Sequence, residues 1–242
     1  MTVIDEPGGP RRPGELPAHG RLRVRRRSPL GPPGRTGRIA VRGPAGDLLA
    51  VAYVPEPAGD LPYRLVVLLH GAGGSAEQAL DLLLPVADEQ RLLLVAPQSV
   101  APTWDLISSA LGPDVERIDW VLTGFADGYP IDRMLIGGFS DGASYALSLG
   151  LANGDVFDAV LAFSPGFAAP PLTRGRPVVF VSHGTADRVL PIDHCSRRLV
   201  PRLRAQGYDV TYQEFAGGHE VPEDVVRRAV EWLPPHEAPP HG

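Results

Sequence analysis

Lysine is missing from this chain of 242 residues: all 23 basic side chains are arginine, a bias to which we give no functional weight. A single cysteine, Cys195, excludes an internal disulfide, a zinc-finger ligand set and an iron–sulfur centre. It lies in the helical run DHCSRRLVPRL with no nucleophile context around it, and we read it as an inert thiol. Long apolar runs are missing as well. Stretches such as Leu65 to Leu69 fall far short of the roughly 20 residues that cross a bilayer. The opening MTVIDEPGGPRRPGELPAHG has no apolar centre of the kind a secretory signal needs, so a cytoplasmic protein is expected. No spacing of His, Cys or Asp marks a metal and no cofactor fingerprint occurs; neither is expected.

What is present suffices for one large domain, with 43% of residues hydrophobic and 21% charged. Residues 1–42 carry ten arginines against Asp5, Glu6 and Glu15, while the remainder is acidic enough to bring the total to −5. A basic arm suits nucleic acid or an anionic membrane, but no nucleic-acid-binding pattern accompanies it. We read residues 1–35 as a disordered Arg/Pro/Gly-rich arm, 36–234 as the domain and 235–242 as a flexible tail, with no nucleic-acid partner and no membrane span. Arginines alternating with Leu22 and Val24 over Arg21 to Arg27 leave room for one edge strand within the arm.

Gly37–Val41 and Leu48–Val54 predict a hairpin-like pair. From Leu65 the pattern becomes short apolar runs separated by helical stretches. Leu65–Leu69, Leu92–Ala96, Met134–Phe139, Ala159–Phe163 and Val178–Ser182 read as strands buried on both faces of a parallel sheet. The helix candidates are Ala76–Gln90, Val115–Phe125, Gly142–Ala152 and Asp193–Gln206. A strand over Asp209–Phe215 and a helix from about Pro222 to Leu233 close the domain. Strand–helix alternation predicts an α/β domain with helices on both faces of a mainly parallel sheet.

The most informative stretch runs from Met134 into Gly138-Phe139-Ser140-Asp141-Gly142 and on into a small-residue helix. Strand, G-x-S-x-G turn and helix in that order form a nucleophile elbow, which lifts the serine hydroxyl above the strand end. The rival reading is a serine that merely caps a helix. A serine needs a base, and the base an orienting carboxylate, in the chain order Ser, acid, His on such a fold. Asp187 follows the strand ending near Ser182, and His219 follows the last strand, so both reach the sheet edge that carries Ser140. Among the other histidines, His19, His236 and His241 fall in the tails, His194 begins a helix, and His70 and His183 read as fixing tight loops. Asp193, the rival acid, reads as a helix N-cap, and Glu220 as pointing elsewhere. Leu68-Leu69-His70-Gly71-Ala72-Gly73-Gly74 supplies a glycine loop for an oxyanion, with the N–H groups of Ala72 and Asp141 as donors. It fits neither phosphate-loop pattern.

These motifs resemble the phospholipase/carboxylesterase group of α/β-hydrolases over most of the chain, from about Leu48 to Leu233. The resemblance rests on LLHGAGG at 68–74, APQS at 96–99, Thr103-Trp104-Asp105, GFSDG at 138–142, SHGTAD followed by Val189 and Pro191, and GGHEVP at 217–222. It implies an α/β-hydrolase fold with Ser140 as nucleophile, Asp187 as acid and His219 as base. Asp141 and Gly74 stand where the family often carries Gln and Asp, and the extra carboxylate beside Ser140 bears on substrate preference. Only residues 164–177 separate two of the strands, which leaves no room for a cap domain and predicts an open groove with Trp104 and Phe167 as candidate walls. The expected function is a serine esterase acting on small to medium ester substrates through an acyl-enzyme. A thioesterase or acyltransferase with the same triad, and a non-catalytic hydrolase-fold binding protein, are the alternatives.

Overall fold

Strands form where the chain offers side chains too apolar to face water on either side. In a computed structural model, which describes residues 19–25, 34–59, 61–108 and 111–233, every residue of β3 (Tyr63–Leu69), β4 (Leu92–Pro97) and β6 (Ala159–Phe163) is buried. With β1 (Gly37–Arg42), β2 (Leu48–Val54), β5 (Ile131–Phe139), β7 (Val178–Gly184) and β8 (Val210–Phe215) they join one sheet in the order β1-β2-β4-β3-β5-β6-β7-β8. The β1–β2 and β2–β4 pairs are antiparallel, and the pairs β4–β3, β3–β5, β5–β6, β6–β7 and β7–β8 are parallel. At the edge, β1 alternates between exposed and covered residues, which is what a strand with one wet face requires.

The two-residue period of a strand sorts the core into two layers. Leu65, Val67 and Leu69 pack under α3 (Pro113–Gly128), α4 (Asp141–Ala152) and α5 (Ser196–Ala205). Val66 and Leu68 pack under α1 (Ala76–Asp81) and α6 (Glu223–Glu231) on the other face. A four-residue helix, α2 (Asp105–Ser108), lies in the connection after β4. From β3 the chain steps to β4 on one side and then to β5 on the other, so the loops after β3 and β5 diverge and open a crevice above the carboxyl ends of the strands.

Three expectations are corrected. The helix expected over Ala76–Gln90 stops at Asp81: a Ser75/Gln78 capping box starts it, and Pro85, which has no N–H to give, turns the remainder into a short 3-10 segment at Leu84–Val86. Asp193 is not the N-cap of the helix that follows it. The fifth helix starts at Ser196 behind Cys195, and the Asp193 carboxylate pairs with Arg197 at 2.8 Å. Residues 19–25 of the expected arm form a packed strap without strand structure: Leu22 and Val24 are each 2% exposed in the core beside α3 and α4. Arg21 holds Asp155 through two hydrogen bonds of 2.8 and 2.6 Å, and Asp119 accepts the backbone N–H groups of Arg23 and Val24. Asn153 clamps Gly20 O and Leu22 N in the same way. Carboxylates far along the chain, Asp155 and Asp119, meet Arg21 and Arg23, which a disordered arm would leave to solvent.

Candidate active site

β5 hands over to α4 at Ser140, which has φ 59° and ψ −121°, a left-handed conformation that a non-glycine residue rarely adopts. The surrounding structure holds it there, with Ser140 N–H donating to Phe163 O at 3.0 Å. The flanking glycines are steric necessities. A Cβ at Gly142 would lie 2.1 Å from Leu69 O, and one at Gly138 would lie 2.6 Å from the same atom. The turn thus lets the helix start directly against the end of β3, with the serine at the crevice.

The loop after β8 brings His219 to this point from 79 residues away. Its ring lies against Phe139, with centroids 4.6 Å apart, and Nε2 is 2.9 Å from Ser140 Oγ. On the other side His219 Nδ1 is 2.6 Å from Asp187 Oδ2. A carboxylate only accepts, so Nδ1 carries the hydrogen and Nε2 is left to accept from the serine hydroxyl. Asp187 is itself fixed from below: Oδ1 accepts the backbone N–H groups of Val189 and Leu190 at 2.9 and 2.8 Å. Burial alone would raise its pKa, but the His219 bond and those two N–H groups prevail and hold the carboxyl below the usual range.

A second histidine, His183, touches the same carboxylate. Wholly buried, it sets Nε2 3.3 Å from Asp187 Oδ2 and 2.8 Å from Leu190 O, while Nδ1 meets Ser196 Oγ at 2.7 Å. Burial pushes its pKa down, which keeps it neutral, with its Nε2–H toward the Asp187 loop. The expectation that His183 and His70 fix tight loops matches these contacts. His70 bonds Gly71 O through Nδ1 at 2.8 Å and accepts Ser99 N–H on Nε2 at 3.2 Å.

The glycine loop crosses directly over the nucleophile: a Cβ on Gly71 would sit 3.4 Å from Ser140 Cβ. Gly73 N–H is spent on Pro102 O and Gly74 N–H on Gly71 O, whereas Ala72 N–H and Asp141 N–H make no hydrogen bond among the described residues. Position 74 has little room for a side chain, since a Cβ there would lie 3.0 Å from Gly71 O.

Trp104 does not line a groove. It is 0% exposed, its Nε1–H donates to His70 O at 2.9 Å, and its ring stacks on Tyr145 with centroids 5.1 Å apart. Its indole is a prop beneath the glycine loop, because the loop after β4 folds back under it. That loop is braced by side chains whose bracing role the sequence does not reveal. Asp105 and Asp114 each accept the other's backbone N–H, Tyr145 donates to Asp105 Oδ1 at 2.8 Å, and Thr103 Oγ1–H donates to Asp141 Oδ2 at 2.8 Å. In the sequence, Asp114 after Pro113 looks only like an ordinary first-turn acid. Phe167 is partly exposed, in a connection tied to α4 where Ser144 Oγ accepts Gly166 N–H at 2.9 Å. Residues 164–177 hold no helix, so no cap stands between β6 and β7. Among the described residues, no group of three or more His, Cys, Asp or Glu could hold a metal, and no helix is long and apolar enough to cross a membrane.

Comparison with known proteins bears on the family and the fold. The family model described as phospholipase/carboxylesterase matches residues 117–236. A search of curated proteins finds no match. Among solved structures, the S-formylglutathione hydrolase FrmB from Staphylococcus aureus superposes with a TM-score of 0.63 at 17% identity, over 84% of this chain and 99% of that one. Esterase PE8 gives 0.61 at 22% identity, over 80% and 98%. A phospholipase/carboxylesterase from Dyadobacter fermentans gives 0.58 at 20% identity, over 82% and 98%. At these identities the structures speak for the fold: an eight-stranded, mostly parallel sheet flanked by helices.

Proposed function

We propose that the chain, which belongs to the phospholipase/carboxylesterase family of α/β-hydrolases, cleaves carboxylic esters of small to medium size through Ser140, His219 and Asp187. One observation carries the reading: a single imidazole lies 2.9 Å from a serine hydroxyl and 2.6 Å from a buried carboxylate. His219 takes the Ser140 proton on Nε2 as Oγ attacks the ester carbonyl, and Asp187 stabilises the imidazolium that forms. The tetrahedral oxyanion is received by the free N–H groups of Ala72 and Asp141, a contribution of about 10²–10³ in rate per donor. His219 returns the proton to the leaving alcohol, which departs and leaves the acyl group on Oγ. Water, deprotonated by the same nitrogen, then attacks the acyl-enzyme; its collapse frees the acid and restores Ser140.

Two assays test this. A fluorophosphonate probe should label the wild-type protein at Ser140 and leave Ser140→Ala unlabelled. The same variant should lose at least about 10³-fold in ester turnover while keeping its fold by circular dichroism. Turnover retained by Ser140→Ala discards the assignment. Matched oxyesters and thioesters, with and without an added alcohol, identify the bond cleaved and the acyl acceptor.

A further inference from the structure

We propose that Asp141 makes this site selective for esters bearing a positive charge close to the scissile carbonyl. The inference rests on the serine-hydrolase reading and adds to it a class of substrate. Asp141 follows the nucleophile directly, so its Cα lies about 3.8 Å from that of Ser140. Its side chain is held in place: Oδ2 accepts the Thr103 hydroxyl at 2.8 Å, on the same loop whose Pro102 carbonyl binds Gly73 of the glycine loop. The carboxylate is thereby fixed and partly exposed, tied to the loop after β4. Thr103 is its only side-chain partner among the described residues. No ion pair to Asp141 occurs among the described residues: Arg117 binds Gln98 O and pairs with Asp47, and Arg188 on the Asp187 loop is exposed.

An anion in this place works against a neutral substrate. Negative charge grows on the carbonyl oxygen as Ser140 attacks, and a carboxylate on the next residue, held by Thr103, raises the energy of that state. An anionic ester suffers twice, in binding and in the transition state. A cationic substituent reverses the sign, because the carboxylate then attracts the substrate and the substrate's charge offsets the carboxylate's effect on the oxyanion. An acid in the first turn of a helix also complements the helix dipole and, through Thr103, braces a loop; in that role it leaves substrate charge irrelevant.

The experiment measures kcat/KM for p-nitrophenyl esters whose acyl chain ends in trimethylammonium, tert-butyl or carboxylate. A second set of acetate esters places the same three groups on the alcohol. In one set or the other, the trimethylammonium ester should exceed its neutral isostere by about tenfold or more at low ionic strength, with the carboxylate ester slowest. Added salt should shrink the ratio. Asp141→Asn should bring it close to unity, and Asp141→Glu should keep most of it. Equal rates in both wild-type sets overturn the proposal, as does a ratio unchanged in Asp141→Asn. A lower melting temperature with an unchanged ratio assigns Asp141 to bracing and also overturns it. If Asp141→Asn does not fold, the wild-type salt dependence and the Asp141→Glu ratio decide. Failure of the underlying reading looks different: no neutral ester is cleaved and the fluorophosphonate does not label Ser140.

Discussion

Replacing Trp104 by phenylalanine separates a prop from a pocket wall. The indole is 0% exposed, donates to His70 O at 2.9 Å and stacks on Tyr145. Losing the N–H leaves that carbonyl short of a donor, at a cost of about 1–3 kcal/mol. Shrinking the ring opens a cavity of some tens of Å³, which at about 24 cal/mol per Å³ adds about 1 kcal/mol. A total of about 3 kcal/mol lowers the melting temperature of a chain this size by about 6–12 °C. Because His70 begins the glycine loop, kcat/KM should fall too, and by one common factor for acetyl, butyryl and hexanoyl esters. Differential scanning calorimetry and an acyl-chain series provide the two readouts. A melting temperature within about 2 °C of wild type, together with a changed chain-length profile, would refute the buried placement and return Trp104 to the substrate.

The strap gives a further test: Leu22→Ala should lower stability by about 2–4 kcal/mol in urea denaturation, since Leu22 is 2% exposed against the core. An unchanged midpoint would mean that the segment is not packed. Acid stability follows from His70 and His183, both pushed below the ordinary imidazole value by burial. The unfolded chain binds those two protons more readily than the folded protein does, so stability rises with pH through this window and declines on acidification below about pH 6.5. Asp187, held low in the folded state, contributes nothing across that window; its share is present above about pH 4 and is lost only below it. Melting temperatures should therefore be lower near about pH 5.5 than near about pH 7.5 at matched ionic strength, and a flat profile contradicts the two buried imidazoles.

Much of this site was legible before any coordinates, because its parts are local. A strand, a G-x-S-x-G turn and a helix leave a contiguous trace, although the reason for glycine at 138 and 142 lies partly outside the elbow, in the close approach of Leu69 O at the end of β3. The same holds for strands buried on both faces, whose boundaries moved by at most three residues at either end. Errors arose where a distant partner decides. Pro85 is the exception, a local signal that cuts short the helix expected over Ala76–Gln90. Trp104 in an aromatic-poor loop suggests a wall until Tyr145, 41 residues on, is seen to lie beneath it.

The chain's order and residue types determined which serine, acid and histidine compete for one edge of the sheet, and which backbone N–H groups lie beside them. Tertiary structure alone decided that His183 joins Asp187, that Asp105, Asp114 and Tyr145 brace the loop over β4, and that Asp119, Asn153 and Asp155 capture the arginine-bearing strap. The physical reason is range. Elbows, caps and strand pleats are satisfied by neighbours a few residues away, whereas a buried carboxylate or imidazole finds its partner only after the sheet has folded distant segments together.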